Sequence, residues 1–253
     1  MILVRFSLGV RRPGRIFDSP RTMEHFDCQN CPSRVDSPFH ELSAEELSKL
    51  ENIKSCTFFK KGQIIFHEGN RPGGIYCIRK GKAKLSRLGS DGKEQIIRFA
   101  KDGEIIGYRS ILSGENLSAT VTTLEDTSAC FVPKKILFES IEGNAKFSLR
   151  IMKEMSRELG EAGKLITNLA QKSVRERLAE VLLVLQSTFG ETEEGLVDIS
   201  LTREELANMV GTATESVIRL LSEFKEDELI ELKGRKLRIL NAPELTRIGK
   251  VYD

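Results

Sequence analysis

The 253-residue chain is 40% hydrophobic and 30% charged, with 39 Lys and Arg against 37 Asp and Glu. This is the make-up of a soluble globular protein with one large or two ordinary domains, and a balance so near neutral neither requires nor excludes a nucleic-acid partner. No apolar run approaches about 18 residues, which excludes a membrane-spanning helix, and the opening MILVRFSLGVRR is too short and interrupted for a signal peptide, so the cytoplasm is expected.

Residues 1–22 are rich in Arg, Pro and Gly and read as a disordered extension, with Met23 as an alternative start. Residues 41–55, ELSAEELSKLENIKS, read as a helix opened by a Ser43/Glu46 capping box, with Leu47 and Leu50 facing inward. From Cys56 to Pro133 come short β-rich runs: TFF, QIIFHE, GIYCIRKG, KAKLSRL, KEQIIRFA, SATVTTL and TSACFVP. Strands at this spacing, punctuated by glycine, predict an antiparallel sandwich or barrel, and Asp91-Gly92 is its clearest hairpin turn. The expected sensor domain is residues 23–143.

After Pro133 the period becomes helical. Ala145, Ser148, Met152, Met155, Leu159, Ala162, Ile166 and Leu169 fall at alternating steps of three and four, a coiled-coil seam. Phe147, Ile151 and Leu165 form a second apolar edge that can serve the β-domain. The seam is then spare, and residues 144–170 are expected to hold a parallel homodimer. Gly160 and Gly163 weaken this helix, so tertiary contacts must support it.

Residues 171–253 form the third unit. Ser173 and Glu176 cap a helix whose apolar face is Leu178, Val181, Leu182, Leu185 and Phe189, and Gly190 ends it. VDISL is expected as a short strand. In LTREELANMVGTATESVIRLLSEF, Thr202/Glu205 and Thr212/Glu215 are spaced as two capping boxes on either side of Gly211. Val217, Leu220, Leu221 and Phe224 make one buried stripe, and small Ala207 lets the two helices approach, which is helix-turn-helix spacing. Glu215, Arg219 and Ser222 point away from that stripe, with Thr214 and Ile218 on its flanks. LIELKGRKLRIL reads as a hairpin turning near Gly234-Arg235, the wing of a winged helix, and residues 241–253 as a loosely packed end. A DNA-facing patch has to come from Arg203, Arg219, Lys233, Arg235, Lys236 and Arg238, because acidic residues predominate in this unit.

A glycine-punctuated β-roll, a long helix and a winged helix-turn-helix, in that order, resemble the Crp/Fnr superfamily of bacterial transcription regulators. The likeness runs from about Cys28 to about Leu240 and is carried by KKGQIIFHEGN, IYCIRKGKAKL, DGEIIG and LTREELANMVGTATESVIRLL. It implies an α+β fold with an N-terminal antiparallel, cyclic-nucleotide-binding-like β-roll. It implies a homodimer that binds pseudo-palindromic promoter DNA, works with RNA polymerase, couples an effector signal to its reading helices, and is no enzyme. By position, Glu215 and Arg219 match the family's base-reading pair; Arg219 suits guanine O6 and N7, and Glu215 suits cytosine N4. Thr212, Thr214 and Ser216 suit phosphate or base edges, Arg203 resembles a phosphate contact, and Ile218 stands where Fnr-like members often carry Ser. Met152, Met155, Leu159, Ala162, Ile166 and Leu169 are the dimerisation residues.

The effector pocket of the family falls on Tyr108, Arg109, Leu117 and Ser118. Tyr108 takes the place of the Glu, and Leu117 that of the phosphate-binding Arg, of cyclic-nucleotide binders, which argues against cyclic AMP; Arg98 or Arg109 are substitutes. Fnr-like members bind an iron–sulfur cluster, and Cys28, Cys31 and Cys130 match three of its ligands, while Ser37 stands at the expected third cysteine. Asp36, His25 or His40 would have to complete the set, and a thiol redox switch on the same cysteines is the alternative. Cys56 and Cys77 read as packing residues, and disulfides are not expected. A metal-dependent cupin enzyme is a competing class, but His67 is the sole histidine of the roll, and a cyclic-nucleotide-responsive module acting on a protein partner is a second, which would not require the C-terminal reading helix.

Overall fold

The computed structural model describes residues 27–251; the expected extension 1–22, Met23 and His25 lie outside them. After two short 3-10 turns, helix α1 (Ala44–Ile53) begins with both bonds of the Ser43/Glu46 capping box in place. The roll follows as β1 (Ser55–Phe59), β2 (Ile64–Phe66), β3 (Gly74–Lys80), β4 (Ala83–Leu88), β5 (Glu94–Ala100), β6 (Ile105–Ile106), helix α2 (Tyr108–Ser113), β7 (Thr120–Thr123) and β8 (Thr127–Pro133). Two four-stranded antiparallel sheets result, ordered β1-β8-β3-β6 and β2-β7-β4-β5. Ile65, Ile78, Leu85, Ile106 and Val121 fill the space between them. Gly92, at φ +77°, turns β4 into β5 with Gly89 N–H donating to Lys93 O; this is the hairpin expected at Asp91-Gly92.

The opposite face of the first sheet carries a second core. Ile75 and Val132 pack there under Phe39, Leu47 and Leu50 of the N-terminal segment, and under Phe147 and Ile151 of the long helix. Helix α3 (Lys134–Gly143) leads to that long helix, α4 (Ala145–Gln171), whose first amides are accepted by the Asn144 side chain. At about 1.5 Å per residue it is about 40 Å long. Its roll-facing edge is buried and its other face bare.

Helix α5 (Val174–Phe189) opens on the Ser173/Glu176 capping box; α6 (Arg203–Val210), α7 (Thr214–Glu226), the hairpin β9 (Ile230–Lys233) and β10 (Lys236–Ile239), and α8 (Ala242–Gly249) complete the chain. Leu178, Leu182, Leu206, Val217, Leu221, Phe224 and Ile230 form one core.

Three expectations need correction. VDISL is no strand: a single bridge joins Glu191 to Val197, whose amide is spent on Leu237 O, while Val197, Ile199 and Leu201 are buried. The end is not loosely packed. Asn241 caps α8, Leu245 is fully buried, and Gly249 packs so closely on α5 that a Cβ there would come within 3.1 Å of the Glu180 amide nitrogen. The third concerns cysteine: Cys56 and Cys130 form a disulfide, because β1 and β8 bring their Cα atoms to 4.0 Å in register.

Candidate nucleic-acid interface and sensor site

Helix α6 starts on the expected Thr202/Glu205 capping box and stops at Gly211, whose φ of +71° lets its amide reach back to Ala207 O. The second expected box is absent. Helix α7 is capped by Ala213 with no side-chain bond, and Thr212 donates its amide to Ala207 O, finishing α6 instead of starting α7. The first turn of α7 is thereby left without a side-chain acceptor, the arrangement in which helix N-termini take anions. Ala207, Val217, Leu220, Leu221 and Phe224 are buried between the two helices. On the outer face Arg219 is 75% and Ile218 48% exposed, beside exposed Glu215 and Ser222, with Thr212, Thr214 and Ser216 half-buried. Among the described residues the ion pair of Arg219 is with Glu223, at 3.9 Å.

Arg203 sits differently from a bare phosphate contact. Its guanidinium donates to Gly234 O at 3.1 Å, tying α6 to the wing turn, and burial pushes its pKa down. Arg238 is turned inward onto Glu231 and Glu194 O, so Arg219 and the exposed Lys233 and Arg235 of the wing dominate the positive surface. Two acids of α7 and its C-cap are held by Arg175, Glu223 at 2.7 Å and Asp227 at 2.9 Å. Arg177, which the sequence did not single out, donates to Val210 O and Gly211 O and fixes the turn between the helices.

The helix-turn-helix is clasped to the roll. Lys84, only 8% exposed, binds Glu94 at 2.8 Å and Glu205 at 3.4 Å; Asn208 donates to Glu94, and Lys82 to Asp198. The β4–β5 turn faces Thr212, Thr214 and Glu215 across a cleft of about 720 Å³.

On α4, Met152, Met155, Leu159, Ile166 and Leu169 are 55%, 39%, 76%, 69% and 39% exposed, and Ala162 is exposed with them. Phe147 and Ile151 are buried, and Leu165 half-buried, on the other edge. That edge also carries Glu158, which lies a heptad after Ile151 and a heptad before Leu165. The residue is 7% exposed. The Tyr108 hydroxyl donates to it at 2.8 Å, Arg98 binds at 3.1 Å and Arg109 at 3.4 Å. A buried carboxylate needs such partners. Burial and that charge hold the Tyr108 phenol well above its ordinary range, and burial raises the Glu104 carboxyl despite Arg98 beside it.

The two arginines named as substitutes for a phosphate ligand are thus engaged by the chain's own carboxylate. Leu117 is buried, Ser118 exposed, and the cavity that they share with Tyr108 and Glu158 measures about 40 Å³. Small-molecule sites run to about 300–1,000 Å³, and this cavity is far smaller than that.

All five cysteines lie between the first sheet and the N-terminal segment. Cys28, Cys31, Cys77 and Cys130 line one cavity of about 40 Å³. Lys54 donates to Cys28 Sγ at 2.7 Å. Burial raises the Cys28 thiol despite that amine, and pushes Cys77 up to about 12. Cubane ligation wants four thiolates, and the set present does not fit it. Cys130 is bonded to Cys56, and Ser37 is buried with its hydroxyl accepting from Phe39 N–H. Asp36 and His40 are exposed, and Asp36 lines a different cavity, beside Arg98 and Arg150. Among the described residues no group of three or more His, Cys, Asp or Glu is arranged to hold a metal ion.

The architecture is a β-roll joined by a long helix to a winged helix-turn-helix. Residues 56–144 match the family model of the cyclic nucleotide-binding domain, and residues 176–248 that of the Crp-like helix-turn-helix domain. The chain is 31% identical to the fumarate and nitrate reduction regulatory protein of Vibrio cholerae over 88% of its own length and 90% of that protein. It is 28% identical to the transcriptional activator protein Anr of Pseudomonas aeruginosa over 90% and 95%. Among solved structures, FixK2 from Bradyrhizobium japonicum superposes with a TM-score of 0.72 at 21% identity, covering 79% of this chain and all of that one. The chain belongs to the Crp/Fnr family of transcription regulators. The fold class expected from the sequence is the one observed, and the family's members here are regulators, not enzymes.

Proposed function

We propose that this protein is a cytoplasmic homodimeric regulator that binds a pseudo-palindromic promoter site through α7 and acts with RNA polymerase. The observation that carries the reading is α7 itself. Four apolar residues are sunk in the core, while Glu215, Ile218 and Arg219 stand bare on the opposite face, at the end of a helix whose first turn has no side-chain cap. Arg219 reads guanine, Glu215 accepts from cytosine, and Ile218 meets a thymine methyl. Thr212, Thr214 and Ser216 contact phosphates or base edges, and Arg203 sets the wing against the backbone. The exposed seam of α4 supports the dimer, since large apolar side chains recurring along one face of a helix otherwise stay in water. The division at 143 and 170 gives a sensor, a stalk and a DNA-binding unit. Within the sensor, the filled space beside Tyr108 favours a signal other than a cyclic nucleotide.

Selection from random duplexes with the full chain tests the reading. Enriched sites with two inverted half-sites about 10–10.5 bp apart, centre to centre, are the expected result. Failure to enrich any sequence, with the protein folded, would refute it.

A further inference from the structure

A further cavity lies outside the roll, where the roll, the long helix α4 and the winged helix meet. It measures about 310 Å³, within the range of about 300–1,000 Å³ in which proteins hold small molecules. Strand β5 forms one wall with Ile97 and Phe99, α4 a second with Leu165, and α5 and α6 the third with Val181, Val184 and Met209. None of the six is fully buried, and Val184 is 47% exposed, so the apolar wall stands open to water. The edges are held. Phe99 meets Phe189 edge-on with ring centroids 5.4 Å apart, Lys101 donates to Thr188 O at 2.7 Å, and Gln95 donates to Met209 O at 3.5 Å. Strand β5 is thereby fastened to the winged helix at both ends of the stretch that lines the cavity.

Charge narrows the occupant. The three acids of the lining are each paired: Glu104 with Arg98 at 3.3 Å, Glu161 with Arg157 at 2.9 Å, and Glu180 with Lys172 at 2.8 Å. Two bases of the lining are not. Half-buried Arg177 spends its guanidinium on the backbone carbonyls of Lys172, Val210 and Gly211. Exposed Lys164 has no carboxylate partner among the described residues. Uncompensated positive charge therefore stands beside an open apolar wall.

We propose that this cavity binds a small apolar monoanion, a hydrocarbon chain or ring carrying one carboxylate. The hydrocarbon lies against Phe99, Leu165 and Val184, and the carboxylate turns to Lys164. A polar nucleotide would leave the wall wet, and an apolar cation would meet Lys164 and Arg177 as like charges, which is costly. The site is separate from the space beside Tyr108 and from the cleft under the β4–β5 turn. Because its walls come from the roll, α4 and the winged helix, an occupant favours the arrangement in which all three meet over any in which they part. An effect on promoter binding rests on the DNA-binding reading; occupation of the cavity does not.

Titration calorimetry of the full-length protein with decanoate tests the site, with decylammonium as the cation of like shape. Wild type should bind decanoate saturably and decylammonium far more weakly. Lys164→Glu should weaken decanoate at least about tenfold, while Lys164→Arg retains it. Val184→Asp should weaken it as well, and because both positions are exposed, circular dichroism should find the fold unchanged. Hydrogen exchange should slow on β5 and α5 together when decanoate is bound. No saturable binding by wild type overturns the proposal, as does equal binding of the anion and the cation. So does decanoate binding that Lys164→Glu and Val184→Asp leave unchanged, which would put the hydrocarbon elsewhere, on the bare face of α4. Failure to select any DNA site with decanoate binding intact would sink only the DNA reading.

Discussion

Replacing Arg219 by Ala separates a base-reading arginine from a structural one. In the free protein Arg219 is 75% exposed and its ion pair to Glu223 spans 3.9 Å, with Glu223 itself 42% exposed. Such an i,i+4 pair contributes about 0.3–0.5 kcal/mol at most, so the unfolding midpoint should scarcely move. A lost bidentate contact to guanine costs about 1–3 kcal/mol. A dimer reads a palindrome twice, and two distant contacts add, giving about 2–6 kcal/mol on the full site, or at least about 30-fold in affinity. Fluorescence anisotropy on the selected palindrome, a variant with one G·C pair changed in each half, and random duplex gives the comparison. Wild type should discriminate the first two and R219A should not, while random-sequence affinity and its salt slope stay nearly constant. Equal losses on specific and random DNA would remove Arg219 from the reading face.

Leu159→Asp places a carboxylate in the centre of the seam, where an uncompensated buried charge costs about 3–5 kcal/mol; light scattering should find monomers with unchanged helix content, and a surviving dimer would mean another interface. Glu158→Leu strips Tyr108, Arg98 and Arg109 of a shared partner, and urea unfolding should record a loss of about 3–5 kcal/mol, against about 0–1 kcal/mol for Glu139→Gln in the exposed Lys135–Glu139 pair. At Glu94 burial alone would raise the carboxyl, but the Lys84, Ser86 and Asn208 hydrogen bonds outweigh it and hold it below 4.5. Its contribution is therefore full above pH 4.5 and lost as pH falls through the depressed value. Hydrogen exchange along β4 and β5 should accelerate over that acid range in wild type, and a Glu94→Gln variant showing the same acid step would rule Glu94 out.

What the sequence made legible was local. Ser43/Glu46, Ser173/Glu176 and Thr202/Glu205 each close a bond between residues three apart, and all three form. Thr212/Glu215 has the same spacing and fails, because the Thr212 amide is taken by Ala207 O across Gly211 and the helix begins one residue later. The roll-facing edge of α4 was read from Phe147, Ile151 and Leu165, yet Glu158 on that same edge passed unnoticed. A carboxylate on an apolar stripe was the available signal, and its partners Tyr108, Arg98 and Arg109 lie some fifty residues or more away. The cysteines were beyond reach for a related reason. Strand register is set by non-local pairing, and no spacing along the chain tells that positions 56, 77 and 130 share a row. The chain end was misjudged because Leu245 and Gly249 are buried by α5, far upstream in sequence.

Glu158 and Leu159 are neighbours on a rigid rod and project about a quarter-turn apart. One is gripped by the roll, while the other lies on the bare face that the proposed dimer would use. Any remodelling of the Tyr108 loop that lets go of the carboxylate would allow the rod to roll about its axis, and the leucine would swing with it. In the proposed dimer such a roll would turn the unit that each rod carries at its far end, and with it the angle at which α7 meets the double helix.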